Sequence, residues 1–478
     1  MQSDLSKDTL DPRNWDDFRA EARRMLEASI DQLQQAAERP WQEVPEDVKA
    51  GYAVRAEGDD AGAIVDRITN EVLPYHGGNI HPRFWGWVQG TGLVSDLIAG
   101  MEGAVINANT GGRDHGANYM ERAVIDWTRQ KMGMPEGCSG VLVAGTSQAT
   151  VIAFQAARVR VMPDVRKTGQ GSARLTAYAG EGIHNATRKA LELLGIGFEN
   201  LRLVPLLDGQ MDLGALRQQI ALDRAKGAMP FLLVGMAGSV DLGTYDDLNG
   251  LADVAQAEDL WLHVDGAFGA WTRIADEPWR SLSDGIGRAD SIALDFHKWM
   301  YVGYDCGLVL IADEAAHRAA FAARPSYLEA AERGLAGGDP WFCDYGIDLS
   351  RGNRALKVWT ALEMYGEEAL GAAITDNCRL AALMAEEVEA QPNMRLSAPV
   401  ISNVCVFTAR DDLSGEAQSL LNSEIAQRLQ ESGAAVFSTT RVNGVVVLRA
   451  AITNHRSRDY DIRAAIEAVA NLAEKGAG

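Results

Sequence analysis

The sequence predicts an α/β fold with a mostly parallel central sheet, because short apolar runs alternate with helical stretches from about residue 100 to residue 310. A second observation is that several of these runs end in small or polar residues, as strands do at the functional edge of such a sheet. A third is that the pattern changes after Arg354 to long helices and short strands, which indicates a separate, smaller α/β unit.

The large unit is predicted to contain five strands. In chain order they are GVLVAG (140–145), RLTAYAG (174–180), PFLLVGMAG (230–238), LWLHVDGA (260–267) and SIALDF (291–296). Active sites in this type of fold lie beyond the carboxyl ends of the strands. Three of the runs end there in polar residues, namely Gly145 to Ser147, Asp265 and His297-Lys298. These segments are therefore the candidate site.

The regions on either side of the large unit are predicted to be helical or mixed. Residues 14–39 carry apolar side chains at helical spacing, and Pro40 and Pro45 follow as stops. Such an arm fits packing on its own core or on a second subunit, and both alternatives remain open. The predicted division is an N-terminal helical arm (1–80), a large α/β domain (81–350) and a small C-terminal α/β domain (351–478).

The charge balance argues against nucleic acid and anionic membranes as partners. The chain has 45 Lys and Arg residues against 66 Asp and Glu residues, which gives a net charge of -21. Such a charge repels phosphate backbones and anionic lipid headgroups. Any anionic ligand therefore needs a pocket whose own residues overcome this field.

The cysteines and the N-terminus predict a cytoplasmic protein. The five cysteines are odd in number and lack the C-x-x-C spacing of a metal or redox site, so no metal is expected: Cys138, Cys306, Cys343, Cys378 and Cys405. Reduced, buried thiols of this kind fit a cytosol. The start MQSDLSKDTLDPRNW has no apolar core behind a basic segment, and no stretch approaches the roughly 18 apolar residues of a membrane span.

Lys298 is the first candidate for chemistry. In SIALDFHKWM it follows His297 just after an apolar strand, so its amine is expected at the mouth of the sheet. Partly apolar surroundings favour the neutral amine, which is the nucleophile that a Schiff base requires. The same residues also fit an ordinary surface lysine after a strand.

Asp265 is the second candidate. It ends the apolar strand in LWLHVDGAFGAW and is followed by small residues, of which Ala267 leaves room for a flat ring. A carboxylate at the end of a buried strand needs a cation, and a protonated pyridine nitrogen is such a partner. A helix cap or an arginine partner explains the same carboxylate equally well.

The third candidate is the loop Gly145-Thr146-Ser147, where a strand opens into an alanine-rich helix. Backbone amides at a helix start, together with two hydroxyl groups, suit a phosphate dianion. The loop lacks the G-K-[ST] of a P-loop, and in many proteins such residues are simply an N-cap.

The fourth candidate is His184, at the predicted start of a helix in YAGEGIHNATRKALELLGIG. An imidazole there can stack on an aromatic cofactor ring and approach a substrate carboxylate. A histidine at this position is also a common capping or surface residue.

These four elements occur in the order phosphate loop, His184, Asp265, Lys298, each beyond the end of a separate strand. The order and the motifs HVDGA and HKW resemble the pyridoxal-phosphate-dependent group II amino-acid decarboxylases, the family of aromatic-L-amino-acid, histidine and glutamate decarboxylases. The resemblance runs from about His81 to Arg354 and continues more weakly to the C-terminus. It implies the aspartate-aminotransferase type of fold (fold type I), pyridoxal 5′-phosphate as cofactor, and a homodimer with active sites at the subunit interface.

The resemblance also implies residue roles. Lys298 matches the Schiff-base lysine, Asp265 the partner of the pyridine nitrogen, and His184 the histidine that stacks on the ring. The family's phosphate anchors, their neighbours and the small residue behind the ring correspond to Thr146 and Ser147, to His297 and Asp295, and to Ala267.

A further match concerns the reaction type. The segment ARPSYLEAAERGLAGG (323–338) resembles the family's mobile catalytic loop, whose tyrosine, here Tyr327, returns a proton to the substrate after carbon dioxide leaves. A phenylalanine at this position would indicate the aldehyde-forming branch. The alternative is a loop tyrosine without a role.

Two segments depart from the family pattern. Ser239-Val240 stand where aromatic decarboxylases carry a Thr-Thr pair, which removes one expected hydroxyl near the cofactor. The stretch GGRDHGANYMERAVIDW (111–127) replaces a proline-containing substrate segment and introduces Asp114, His115 and Tyr119, as in a bacterial branch of the family. Of these, His115 is predicted to bind substrate.

The remaining substrate pocket is predicted from two motifs. HPRFWGWVQGTG (81–92) matches the segment that lines the substrate side chain, so Trp85 and Trp87 are candidates for an aromatic wall, or else for core residues. Ser350, in DLSRGNR, lies where a small residue near the substrate varies across the family. Arg351 and Arg354 fit either anion binding or the start of a surface helix.

We therefore expect decarboxylation of an L-amino acid, with an aromatic side chain favoured, to the amine and carbon dioxide. Glutamate is disfavoured because no basic group is assigned to a distal carboxylate. Other pyridoxal-phosphate reactions, namely aldehyde synthesis, transamination or carbon–carbon cleavage, use the same Lys298 and Asp265. A non-catalytic binding or regulatory module with this fold is the third alternative.

Overall fold

The computed structural model describes residues 9–323 and 331–475. It begins with an exposed helical arm, in which Asn14 caps the first helix by accepting a hydrogen bond from the Asp16 amide. The helices before the large sheet are α1 (Trp15–Gln34), α2 (Glu46–Gly51), α3 (Ala61–Arg67), α4 (Ser95–Ile106) and α5 (Gly116–Lys131).

A seven-stranded sheet forms the core of the large domain. Its strands are β1 (Ser139–Val143), β2 (Leu175–Gly180), β3 (Leu201–Val204), β6 (Met229–Met236), β7 (Trp261–Asp265), β8 (Ser291–Asp295) and β9 (Gly307–Ile311), and a separate ribbon pairs β4 (Leu206–Leu207) with β5 (Gln210–Met211). The order is β1-β9-β8-β7-β6-β2-β3. β9 runs antiparallel to both neighbours, and the pairs from β8 to β3 are parallel. The carboxyl ends of β1, β2, β6, β7 and β8 therefore share one edge.

Helices cover this sheet. They are α6 (Thr146–Val161), α7 (Val165–Thr168), α8 (Asn185–Leu193), α9 (Leu213–Ala225), α10 (Leu248–Ala257) and α11 (Glu314–Phe321). Alanines Ala149, Ala153 and Ala156 of α6 are fully buried, because small side chains let this helix approach the sheet closely. Aspartates cap α9, α10 and α11 by accepting amide hydrogen bonds in the first turn.

The C-terminal part has its own antiparallel sheet, with the order β10-β11-β13-β12. Its elements are α12 (Ala355–Glu389), β10 (Arg395–Leu396), β11 (Val404–Thr408), α13 (Gly415–Glu431), β12 (Ser438–Val442), β13 (Val445–Ala451) and α14 (Asp459–Lys475). α12 is kinked at Gly366, where φ is +73°, a value that suits glycine. A second apolar core, distinct from that of the large sheet, fills this part.

The predicted α/β class is confirmed, and the five predicted strands appear as β1, β2, β6, β7 and β8. β3 and β9 are additional strands. Phe84 bridges to Val436, and the Trp85 amide donates to the Val436 carbonyl over 2.8 Å, so this segment packs on the small domain. The division at residues 80 and 350 stays a prediction. Among the described helices, none has the length and apolar character that crossing a membrane requires.

Candidate active site

A cavity of about 330 Å³ lies beyond the carboxyl edge of the large sheet, between the two sheets. One wall comes from the ends of β6 and β7 and from the turn after β8, and the other from β12, β13 and the segment around residue 87. Five of the predicted site residues line it, namely Trp87, His184, Asp265, Ala267 and Lys298.

Lys298 lies in the short connection between β8 and its antiparallel neighbour β9. Its Nζ is 2.9 Å from Oδ2 of Asp295, and 21% of its side chain is exposed. The turn is fixed from outside, because the Gly90 amide donates to the His297 carbonyl over 3.2 Å. A Cβ at position 90 would collide with the carbonyl oxygens of His297 and Lys298. The amine is therefore presented from a firmly held turn.

Asp295, the last residue of β8, joins this turn to the start of α6. Its Oδ1 accepts from the Thr146 amide over 2.8 Å, and its Oδ2 accepts from the Thr146 hydroxyl over 3.0 Å. The residue is 1% exposed. A buried carboxylate is costly unless it is paired and hydrogen-bonded, and here Lys298 supplies the charge and Thr146 the donors.

His297 is buried beside this network. Its Nδ1 accepts from the Cys306 amide over 3.1 Å, so the neutral ring carries its proton on Nε2, 3.7 Å from Asp295 Oδ2. Burial lowers the pKa of His297, although Asp295 acts in the opposite direction. The Tyr304 ring lies against it, with the two centroids 4.4 Å apart. His297 therefore supports the turn, and its predicted place beside the cofactor phosphate stays a prediction.

Asp265 ends β7 and is partly buried. Its Oδ1 accepts from the Ala267 amide over 3.2 Å, and within the described residues it forms no ion pair. The arginine partner and the helix cap that the sequence left open are therefore not seen. A carboxylate at a cavity wall without a protein cation suits a positively charged ligand group.

His184 caps a helix, as one of its sequence interpretations has it, and its stacking on a cofactor ring stays a prediction. Its Nδ1 caps α8 by accepting from the Ala186 amide over 3.2 Å, and the residue also lines the cavity. Because Nδ1 accepts, the neutral ring keeps its proton on Nε2. The cap fixes the orientation of the imidazole.

The start of α6 differs from the expectation of two hydroxyl anchors. Both donors of Thr146 are engaged by Asp295, as described above. Ser147 is exposed, and in the described part of the chain its hydroxyl has no hydrogen-bond partner. The first turn of a 16-residue helix with a free serine hydroxyl fits a phosphate group.

The two tryptophans predicted to line the pocket lie in different environments. Trp85 is 0% exposed, its Nε1 donates to the Ser457 hydroxyl over 2.9 Å, and its ring packs edge-on against Phe437. It belongs to the core of the small domain, so the interpretation as an aromatic pocket wall does not hold for it. Trp87 is 54% exposed, has a left-handed φ of +54° and lines the cavity.

His115 and Ser350 are not brought to this cavity. His115 precedes α5, and its Nε2 lies 3.1 Å from the Asn109 carbonyl. Neighbouring Tyr119 donates to Asp114 over 2.7 Å on the surface. Ser350 is exposed beside Arg351. Within one chain these residues do not face Lys298, and their role in substrate binding stays a prediction.

Arg351 and Arg354 have protein partners. The guanidinium of Arg351 is 2% exposed and binds the fully buried carboxylate of Glu121 through two hydrogen bonds. Arg354 Nε donates to Asp305 over 3.0 Å. Neither the anion-binding interpretation nor the surface-helix interpretation describes Arg351, which is a structural ion pair.

Sequence reasoning missed Arg449, on β13. This residue is 3% exposed and lines the cavity. Its guanidinium donates to the carbonyl oxygens of Trp87, Val240 and Asp241 and to the Ser438 hydroxyl. Burial lowers its pKa to about 10, which leaves it charged at neutral pH. An arginine inside the otherwise apolar strand VVVLRAAI was the available signal.

Tyr327, the predicted proton donor, lies outside the described residues. Leu335, in the described residues that follow, lies near the start of α5, since the Asp114 amide donates to its carbonyl over 3.0 Å. The assignment of Tyr327 stays a prediction.

The side chains around the cavity fit pyridoxal 5′-phosphate. Lys298 offers an amine for the aldehyde, and Asp265 offers a carboxylate without a protein cation for the protonated ring nitrogen. Ser147 and the first turn of α6, which adjoin Asp295 and are not among the lining residues of the cavity, offer donors for the phosphate. Ala267, whose side chain is small, and the capped imidazole of His184 line the same cavity, which suits a flat ring.

Comparisons with known proteins agree with this site. The model of the pyridoxal-dependent decarboxylase conserved domain matches residues 45–410. An aromatic-L-amino-acid decarboxylase of Bacillus atrophaeus is 30% identical over 83% of this chain and 82% of its own length. The Sus scrofa enzyme of the same name is 26% identical over 96% and 97%, respectively.

Solved structures match over nearly the whole chain. The crystal structure of Oryza sativa TDC with PLP and tryptamine has a TM-score of 0.89 at 22% identity, covering 98% of this chain and all of that one. The structure of mouse CSAD has a TM-score of 0.88 at 22% identity, covering 95% and 99%. At these identities the likeness shows the fold, which is the predicted fold type I. The chain therefore belongs to the pyridoxal-dependent decarboxylase family and is a pyridoxal-phosphate-dependent carboxy-lyase that acts on an amino acid.

Proposed function

We propose that the protein decarboxylates an aromatic L-amino acid and releases the corresponding amine and carbon dioxide. The observation that carries this proposal is one cavity with Lys298 and Asp265 on one side and Trp87 on the other. Phe268 and Val240 add further apolar surface to the walls. Apolar and aromatic surface of this kind, beside the polar groups that the cofactor and the substrate carboxylate need, suits an aromatic side chain.

Each polar group is given one task. Lys298 binds the cofactor through its amine, Asp265 keeps the ring nitrogen protonated, and His184 supports the ring face. Ser147 and the first turn of α6 bind the phosphate. Bound pyridoxal phosphate supplies the electron sink for the bond that breaks.

The chain must also orient the substrate and return a proton. The bond to the departing carboxylate breaks most readily when it is perpendicular to the cofactor ring. The cavity walls around Trp87 and Arg449 hold the substrate in that orientation. The α-carbon then needs one proton in place of carbon dioxide. Tyr327 is the proposed donor, as the family resemblance implies.

Several relatives support an aromatic substrate. The Bacillus and pig proteins are aromatic-L-amino-acid decarboxylases, whereas an L-2,4-diaminobutyrate decarboxylase of Acinetobacter baumannii is 27% identical. The sequence argument against glutamate is weakened, because Arg449 places a cation in the cavity wall. Four hydrogen bonds to protein oxygens already engage that cation.

An amino-acid panel tests the proposal. Purified protein loaded with pyridoxal phosphate is incubated with phenylalanine, tyrosine, tryptophan, histidine, glutamate and 2,4-diaminobutyrate, and carbon dioxide, amine and aldehyde are quantified. We expect equal amounts of amine and carbon dioxide, with the highest kcat/KM for an aromatic substrate. Phenylacetaldehyde synthase of Arabidopsis thaliana is 27% identical, so aldehyde with consumption of oxygen is the outcome that would replace decarboxylation to the amine. Lys298→Ala is the blank for this panel.

We also propose a cytoplasmic homodimer. α4 leaves Ile98, Met101, Val105 and Ile106 between 47% and 83% exposed, and an apolar helix face of this kind suits a second copy of the chain. The five cysteines, for which the described residues show no disulfide, suit a reducing compartment. Light scattering of the purified protein tests the dimer, and a monomeric mass at micromolar concentration would contradict it.

A further inference from the structure

The network at the end of β8 points to a role for Asp295 that the family resemblance does not give. The resemblance places Asp295 beside the cofactor phosphate, together with Thr146 as an anchor. In the structure the carboxylate instead links Lys298 Nζ, at 2.9 Å, to the amide and hydroxyl of Thr146. The groups assigned to the phosphate are thus bonded to each other.

Close packing holds this carboxylate in place. A Cβ added at Gly307 would lie 2.6 Å from Asp295 Oδ1, and one added at Gly145 would lie 3.5 Å from the same oxygen. With 1% of the residue exposed, the side chain is enclosed by two glycine backbones and by Thr146. Both Thr146 donors therefore face a fixed acceptor.

Charge supports the same conclusion. A carboxylate at the first turn of α6 already occupies part of the favourable potential of the helix start. A phosphate dianion nearby gains nothing from a Thr146 hydroxyl that is engaged by Asp295, and it is repelled by the carboxylate. Ser147, exposed and without a partner among the described residues, is the hydroxyl that remains available.

We propose that Asp295 is a positioning residue that ties the Lys298 amine to the first turn of α6, so that Thr146 serves Asp295 and not the cofactor phosphate. Ser147 then provides the side-chain contact to that phosphate. This inference rests on the proposed function, because it concerns where the cofactor phosphate binds.

Two fragments of the cofactor separate the roles. Pyridoxine 5′-phosphate carries the ring and the phosphate but no aldehyde, so it reports on the anion site without reacting with lysine. Pyridoxal carries the aldehyde without the phosphate. It condenses with a lysine amine with loss of one water, and borohydride reduction followed by peptide mass spectrometry then locates the adduct.

The binding arm uses full-length, cofactor-free protein and calorimetry with pyridoxine 5′-phosphate. Ser147→Ala is expected to weaken binding about tenfold, the value of one hydrogen bond to a charged group. Thr146→Ala is expected to change it less than about twofold. Asp295→Asn removes a negative charge at nearly constant shape, and it is expected to tighten binding at least about threefold.

The labelling arm tests the tie to Lys298. In the wild type we expect pyridoxal to label Lys298 in preference to the other lysines, and Asp295→Asn to reduce that preference several-fold. A variant that only loosened the fold would also lose its cooperative thermal transition, which is recorded for every protein. If Thr146→Ala unfolds, Thr146→Val, which keeps the β-branched shape, replaces it.

The outcomes are distinct. A loss of pyridoxine 5′-phosphate binding in Thr146→Ala as large as in Ser147→Ala overturns the inference and leaves the proposed function intact. Weaker binding in Asp295→Asn, or unchanged labelling of Lys298 in that variant, does the same. A wild-type protein that binds neither fragment overturns the proposed function together with the inference.

Discussion

Two buried ion pairs in this molecule use the same chemistry in different ways. Arg351 and Glu121 are 2% and 0% exposed, and nearly every polar atom of the pair has a partner, including the Leu142 amide and the carbonyl oxygens of Leu142 and Thr110. Lys298 and Asp295 form the second pair, in which the lysine is 21% exposed and reaches the cavity.

The two ion pairs differ in how completely their polar atoms have hydrogen-bond partners. The Arg351–Glu121 pair is closed, because a bidentate guanidinium and a carboxylate satisfy each other and the ends of neighbouring segments. The Lys298–Asp295 pair is saturated on the carboxylate side and open on the amine side. The closed pair joins segments of the fold, whereas the open pair leaves the lysine amine accessible to a ligand in the cavity.

The largest expected effect is at the open pair. Lys298→Ala removes the amine that holds the cofactor, and we expect kcat/KM to fall by at least about 10³-fold. The protein should still fold but with reduced stability, because Asp295 loses its cation and keeps its two hydrogen bonds from Thr146. Activity assays together with circular dichroism check this expectation, and residual activity within tenfold of the wild type would contradict it.

We expect a substitution in the closed Arg351–Glu121 pair to act mainly on stability. Glu121→Gln leaves the Arg351 cation buried without its counter-ion, and we expect the free energy of unfolding to fall by about 3–5 kcal/mol. Urea denaturation measures the loss. The double variant Glu121→Leu/Arg351→Met removes both charges and should recover most of it, and a double variant as unstable as the single one would argue against the charge explanation.

Asp265 extends the comparison to a carboxylate that has no cationic partner among the described residues. Asp265→Asn should leave stability nearly unchanged, since no ion pair with a described residue is broken. Activity should fall about 10²-fold, because the ring nitrogen loses the charge that keeps it protonated. Lower stability with unchanged activity would reverse this assignment and make Asp265 structural.

Gly90 tests how firmly the open pair is held. Gly90→Ala places a methyl group against the carbonyl oxygens of His297 and Lys298, and we expect a loss of about 2 kcal/mol in stability and a shifted lysine turn. The matched control is Gly137→Ala, in the exposed connection between α5 and β1, where a Cβ meets no atom within 4 Å. The control should be neutral or stabilising by up to about 1 kcal/mol. Equal effects of the two changes would show that the turn tolerates displacement.

The smallest effect concerns pH. His317 is fully buried, with its ring nitrogens 2.8 Å from the Ser139 hydroxyl and 2.7 Å from the Tyr345 carbonyl, and burial lowers its pKa to about 3. The unfolded chain takes up the proton first, so stability should fall as the pH drops from about 6.5 towards 3. His317→Gln should flatten this dependence, by about 1 kcal/mol at pH 5.5. An unchanged slope in urea melts at pH 7 and 5.5 would exclude His317 as its source.

Much of the fold followed from local pattern. Apolar runs such as PFLLVGMAG and LWLHVDGA became buried strands with a parallel neighbour on each side, because their length and composition fit the inside of a parallel sheet. β9, in contrast, pairs antiparallel between β8 and β1, and nothing local in GLVLI distinguishes this from a parallel strand. Strand order depends on contacts between distant segments.

The site was predictable where a motif fixes both residue and position. HVDGA and HKW placed Asp265 and Lys298 at strand ends, and the structure brings both to one cavity. The sequence does not distinguish Trp85 from Trp87, which are two residues apart. In the structure, Trp87 has a left-handed backbone and lines the cavity. Arg449 and the partners of Arg351 depend on residues more than 200 positions away, which no local pattern contains.

The place of Lys298 between two neighbouring strands has a consequence for precision. β8 ends at Asp295, only three residues before Lys298, whereas β9 begins at Gly307, so the nearby strand anchor lies on one side of the reactive lysine. The Gly90 amide, which donates to the His297 carbonyl, fixes the turn from outside. Uncertainty in the position of an atom grows with the number of rotatable bonds that separate it from a fixed frame. The short link to β8 and the hydrogen bond from Gly90 keep that number small. Substitutions elsewhere on the surface can therefore reshape the substrate walls while the reacting nitrogen keeps its place.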